Sequence, residues 1–172
     1  MTKRQVKKFG VVITGAVMAV AMASPALAWL PGRMTGSGSV IKPNGTRVTH
    51  GFELHCSPHG GGITDGPNNL EINWLGGDTE NNFHLNELTF AACRDAEGYD
   101  EEMPEAGFDT MRGEGTGSLN NVDGYTIKFF ITDQGEPGMG DRLRFAIYDS
   151  AGVRVFRAMG VLDRGNHQAH AA

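Results

Sequence analysis

The strongest constraint on this chain is a two-residue alternation that recurs between turn residues and is clearest towards the C-terminus. In YTIKFFITD, Ile127, Phe129 and Ile131 take every second position, and in LRFAIYD Leu143, Phe145 and Ile147 do the same. Successive side chains on a β-strand point to opposite faces, so this pattern buries one face and leaves the other to water. Gly, Pro, Asn and Asp clusters interrupt the pattern about every ten residues, and almost nothing follows a helical period. Asn44-Gly45 in PNGT marks a hairpin, because both residues tolerate the positive φ that a tight turn demands. Strands are expected from there to Cys56, over NNLEINW, over FHLNELTFAAC, and in three or four segments after MRGEGTGSL. The expected fold is therefore all-β: an antiparallel β-sandwich, jelly-roll-like. RDAEGYDEEMPEAGF reads as a solvated acidic excursion covering about residues 95–109, and the tail RGNHQAHAA reads as too short and polar for a core strand.

The N-terminus has a different logic. Lys3, Arg4, Lys7 and Lys8 precede the apolar run VVITGAVMAVAMA, and small residues stand at Ala26 and Ala28. That order is the pattern of a secretory signal peptide cleaved after Ala28. The apolar run falls short of the roughly 20 residues a membrane span needs, and Pro25 interrupts it. The expectation is a 1–28 signal peptide and a single secreted or periplasmic domain over 29–172, with no membrane span. Export also bears on the two cysteines. Cys56 and Cys93 are most simply one disulfide in an oxidising compartment, and no CxxC spacing supports a two-cysteine metal site.

The chain has 15 Lys and Arg, four of them in the leader, against 20 Asp and Glu that all follow it, so the exported part is near −9. A net acidic surface argues against nucleic acid and anionic membranes as partners and is compatible with cation binding.

Alternation divides THGFELHC into a core side with His50, Phe52, Leu54 and Cys56, and an outer side with Glu53 and His55. In NNLEINW it turns Glu71 and Asn73 outward. If Trp74 pairs with Phe83, Asn73 faces His84 and Glu71 faces Asn86. Glu53, His55, Glu71 and His84 would then share one polar patch, a ligand set suited to Zn²⁺ or Cu²⁺. A second candidate is ITDQGEPGMGD, where Asp133, Glu136 and Asp141 offer hard oxygens to Ca²⁺, although the spacing is not that of an EF-hand. In the tail, Asp163, His167 and His170 are ligand types that could complete a site with His55 or His84. No G-x-S-x-G, HExxH or phosphate-binding glycine loop occurs, and Ser57 beside His59 stands alone, so no catalytic residue is assigned.

HGFELHC, PNNLEINW, FHLNELTFAAC, TDQGEPG with Asp141, and GNHQAH, taken in this order over residues 36–170, resemble the post-COAP domain of exported bacterial proteins. The resemblance implies a secreted β-rich module of the kind appended to larger surface or extracellular proteins, and it brings no catalytic residues with it. The reading at this level is a non-enzymatic module for binding, adhesion or extracellular assembly, with an unknown extracellular or cell-surface partner. A metal-binding exported protein is the first alternative and a small secreted hydrolase the second.

Overall fold

A computed structural model describes residues 31–57, 66–99 and 106–172. The expected signal peptide, His59 and residues 100–105 of the acidic excursion lie outside those residues. Among the described residues there are nine strands: β1 (Gly32–Ile41), β2 (Arg47–Cys56), β3 (Asn69–Gly76), β4 (Thr79–Arg94), β5 (Thr110–Leu119), β6 (Val122–Thr132), β7 (Arg142–Tyr148), β8 (Arg154–Val161) and β9 (Arg164–Ala171). All-β, antiparallel architecture is what the alternation requires.

The strands form one sheet in the order β8-β7-β6-β5-β4-β3-β2-β1-β9. Eight of them make a simple meander, and the ninth returns to pair with β1. This differs from the expected pair of sandwiched sheets. The single sheet curls until its inner face meets itself. His50 on β2 reaches Phe145 on β7 with ring centroids 5.7 Å apart, and Trp74 on β3 stacks on Phe156 on β8 at 3.8 Å. Twist accumulates in one direction from strand to strand, so a long meander with one apolar face rolls towards a barrel.

The rolled interior holds Met34, Leu54, Leu70, Ile72, Phe83, Met111, Ile127, Ile131, Phe145 and Ile147, all fully buried. β5 supplies the small residues against which these large ones fit. After Met111, its inward positions in MRGEGTGSL are Gly113, Gly115 and Gly117. A Cβ added at Gly115 would lie 2.5 Å from the Glu87 carbonyl oxygen and 2.5 Å from Leu85 Cδ1. Because the backbone of β4 cannot retreat without breaking its pairing, Gly115→Ala is expected to cost about 1–3 kcal/mol, the usual range for overpacking. Urea unfolding of the variant measures this directly.

Cys56 at the end of β2 and Cys93 near the end of β4 both point inward, and they form a disulfide across a Cα–Cα distance of 5.8 Å. The bridge spans β3 and closes a segment with sequence separation 37, which in the chain-entropy picture is worth roughly 4 kcal/mol. Reduction, or Cys56→Ser with Cys93→Ser, is expected to lower the unfolding free energy by about that amount. Denaturant melts with and without reductant test it, with thiol titration of the denatured, unreduced chain as the check on pairing. The disulfide fits an extracellular setting, and among the described residues no helix is long and apolar enough to cross a membrane.

Part of the acidic excursion is anchored. Phe108 is fully buried, and the buried Asp109 carboxylate accepts the Ala96 N–H and the Thr110 hydroxyl.

Candidate functional site

The outer wall of β2–β4 is the first place where sequence placed chemistry, and its register differs from the expectation by two residues. Ile72, not Trp74, stands opposite Phe83, so Glu71 faces His84 and Asn73 faces Asn82. β3 and β4 are joined by only Gly77 and Asp78, and TENN belongs to the strand instead of the loop. Asn86 consequently leaves the patch and donates to Asp123.

Glu53, His55, Glu71 and His84 are not gathered as ligands. Among the described residues no group of three or more His, Cys, Asp or Glu side chains could hold a metal ion. Glu53 is paired with Arg33 at 3.2 Å. Glu71 Oε1 accepts from both Asn73 and Asn82. His55 lies under Gly66, where an added Cβ would come within 2.8 Å of the ring. His170 also fails to complete a set with His55. On the three neighbouring strands His170, Arg33 and His55 are consecutive partners, so a guanidinium occupies the middle position. His170 donates to or accepts from Thr35 at 2.8 Å, and burial followed by the Arg33 charge lowers its pKa.

The Asp133, Glu136 and Asp141 loop is a clamp on β9, and this also corrects the reading of the tail. RGNHQAHAA is a full strand, paired with β1 from Arg164 opposite Ser39 to Ala171 opposite Gly32. Among the described residues no strand lies along its other edge. There Asp141 Oδ2 accepts the His167 N–H at 2.6 Å, and Asp133 Oδ2 accepts the Ala169 N–H at 2.7 Å. Residues two apart present their N–H groups to the same edge, so two carboxylates substitute for the carbonyls of a missing neighbour strand. The other oxygens of these groups accept Gly135 N–H and Gln134 N–H. Glu136 binds the side chains of Asn166 and Gln168. These oxygens are used by the chain itself, which is why they do not form an oxygen cage for Ca²⁺. Asp163, the remaining acid of the tail, bonds Arg47 at 2.6 Å.

Asp141 is fully buried. Burial raises its pKa to about 6 against the lowering effect of the Gln134 and His167 amides, and the nearby Asp133 and Glu136 charges add to the rise.

His167 brings out a feature that sequence reading missed. It is fully buried, its Nε2 lies 2.8 Å from His50 Nε2, and its Nδ1 lies 2.9 Å from the Thr132 carbonyl oxygen. That oxygen can only accept, so His167 Nδ1 carries a proton. In the neutral ring Nε2 is then the acceptor, and His50 must donate from its own Nε2. Burial and the neighbouring His167 hold His50 down to about 3, and burial holds His167 down to about 4, with the Thr132 bond acting in the opposite direction. Both rings are packed by Phe52. An imidazole pair enclosed in this way orders the core. Alternation had put His50 on the core side, but its partner lies 117 residues away.

A concave feature on this wall is instead built of amides. A cleft of about 860 Å³ is lined by Arg47, Thr49, Trp74, Leu75 and Glu80 together with Asn73, Asn81, Asn82, Asn120 and Asn121. A second cleft of about 600 Å³ follows on the outer face, bounded by Glu53, Asn69, Glu71 and His84, and shares Thr49 and Asn73 with the first. The amides hold one another. Asn82 Nδ2 donates to Glu71 and Asn73, Asn120 Nδ2 to Asn81, and Asn81 Nδ2 to the Thr79 carbonyl. In comparisons with known proteins, no family model, no curated protein and no solved structure matches this chain.

Proposed function

We propose that the protein is an exported, non-enzymatic binding module whose ligand lies in the amide-lined trough on β2–β4 and at the β5–β6 turn. The observation that carries the reading is the interlocked set of asparagines. A carboxamide has two donor hydrogens and two acceptor lone pairs, and the bonds among Asn73, Asn81, Asn82 and Asn120 leave part of that capacity facing outward. Side chains already fixed by their neighbours lose little freedom on binding, so such a surface is preorganised. Uncharged donors and acceptors alternating at short spacing, beside the partly exposed Trp74 and Leu75, suit a neutral polyhydroxylated ligand such as a saccharide. Hydroxyls meet the amides and the apolar C–H face meets the indole and leucine. The resemblance to a module of exported surface proteins and the disulfide are consistent with this role.

Gly51 provides a test that spares the core. It lies on the outer face of β2 beside the trough, and a Cβ built there meets nothing within 4 Å. Gly51→Trp is expected to leave the melting temperature nearly unchanged and to abolish retention of neutral glycans on a glycan array, as Asn82→Ala should weaken it. A folded Gly51→Trp protein that still binds the same glycan, or a parent protein that binds none across a broad array, would overturn the assignment.

A further inference from the structure

Net charge conceals how the cations are distributed. Of the 11 Lys and Arg beyond the leader, six stand on the exposed face of β5–β8: Arg112, Lys128, Arg142, Arg144, Arg154 and Arg157. Strand register sets them in rows. One row runs Arg112, Phe130, Arg144, Met159, and the next runs Glu114, Lys128, Ala146, Arg157. Glu114 is the acid within these rows, and it is used by Lys128 and Arg112. Among the described residues no carboxylate lies at ion-pair distance from Arg142, Arg144, Arg154 or Arg157.

Apolar side chains are interleaved with these cations. Val153, Val155, Met159 and Val161 are 59, 47, 48 and 40% exposed, and all belong to β8 or the turn that leads into it. A charged polymer would reward the arginines and leave these four in water. A lipid headgroup layer rewards both, because cations meet phosphates while apolar tips enter the acyl boundary.

We infer that the outer face of β5–β8 docks the protein on an anionic lipid surface, with Arg142, Arg144 and Arg157 as the phosphate contacts and Met159 and Val161 as the apolar ones. This does not depend on what the amide trough binds. It also reverses the expectation drawn from a net charge near −9, since over a distance longer than the screening length only the local patch is felt.

The experiment is co-sedimentation of exported, processed protein with vesicles of equal parts phosphatidylglycerol and phosphatidylcholine, against phosphatidylcholine alone. Binding is expected to the anionic vesicles only and to weaken as salt is raised. Arg144→Gln with Arg157→Gln should lower the partition coefficient by about tenfold or more, on the scale of two cations lost from a membrane surface. Met159→Ser with Val161→Thr should lower it several-fold without changing the salt dependence. All six cations are exposed, so the variants are expected to keep the parental melting curve, which is recorded alongside. Equal binding to neutral vesicles would overturn the inference. So would binding to heparin or DNA without binding to vesicles, or a concentration-dependent dimer that is lost in the arginine variant while no vesicle binding occurs.

Discussion

Alanine at both Asp133 and Asp141 is expected to remove about 5 kcal/mol of stability and to release β9 from the barrel edge. The two carboxylates together accept the N–H groups of Gly135, His167 and Ala169, all in buried bonds, and that of Gln134 in a partly buried one. Truncating an acceptor leaves its donor without either a partner or water, at about 1–3 kcal/mol for each buried group. Small domains are stable by only about 5–15 kcal/mol in total, so the double variant stands near the threshold of folding. Glu136→Ala is the contrasting control. That carboxylate bonds only the side chains of Asn166 and Gln168 at an exposed position, and its loss is expected to cost well under 1 kcal/mol.

Native-state hydrogen exchange separates a clamp from a merely stabilising loop. In Asp141→Ala the His167 amide is expected to exchange far faster than amides in β6 or β7, because its bond is lost locally. Protection at His167 equal to that of the central strands would show that the edge is closed by something else. Asp141→Asn gives an intermediate result: one carbonyl oxygen remains for two N–H donors, and the new NH₂ group faces one of them.

The contrast between β6 and β9 shows what sequence alone could reveal. Ile127, Phe129 and Ile131 announce a half-buried strand by alternation, and the Cys56–Cys93 pair follows from compartment and count. β9 buries His167 and Ala169 at the corresponding positions, and a histidine and an alanine make a far weaker apolar signal than Ile and Phe. Its outer edge is held by acids 26 and 36 residues earlier in the chain, and no local pattern records such a partnership. The β3–β4 register failed for a related reason. Asn and Asp are common in turns, so TENN resembles loop, yet Gly77-Asp78 alone closes the hairpin and moves every outward partner by two. Candidate ligands could therefore be placed correctly on a face and still be assigned the wrong neighbours. The cationic rows of β5–β8 were also out of reach, because a sum of charges contains no register.

Acid is expected to destabilise the protein through the His50–His167 pair, and the slope can be anticipated. Both rings are neutral in the fold down to about 3 and about 4, whereas in the unfolded chain both take up a proton near 6.5. Between those limits the unfolded state binds up to two more protons than the fold, so this contribution is complete above about pH 6.5 and is lost as pH falls, at about 1.4 kcal/mol per pH unit for each histidine. Asp141 acts in the opposite sense. Its folded carboxyl takes a proton near pH 6 while the unfolded one waits until near 3.8, so over that interval the fold holds one proton more and gains stability on acidification. From these three groups, the net loss between pH 6 and 4 is then about one proton's worth, roughly 1.4 kcal/mol per unit. Urea midpoints across this range measure it. His50→Leu should be less stable at pH 7, since His167 Nε2 loses its donor, yet its pH slope should be shallower by about one proton. A variant whose slope equals that of the parent would mean that the buried imidazoles are not the groups through which acid acts.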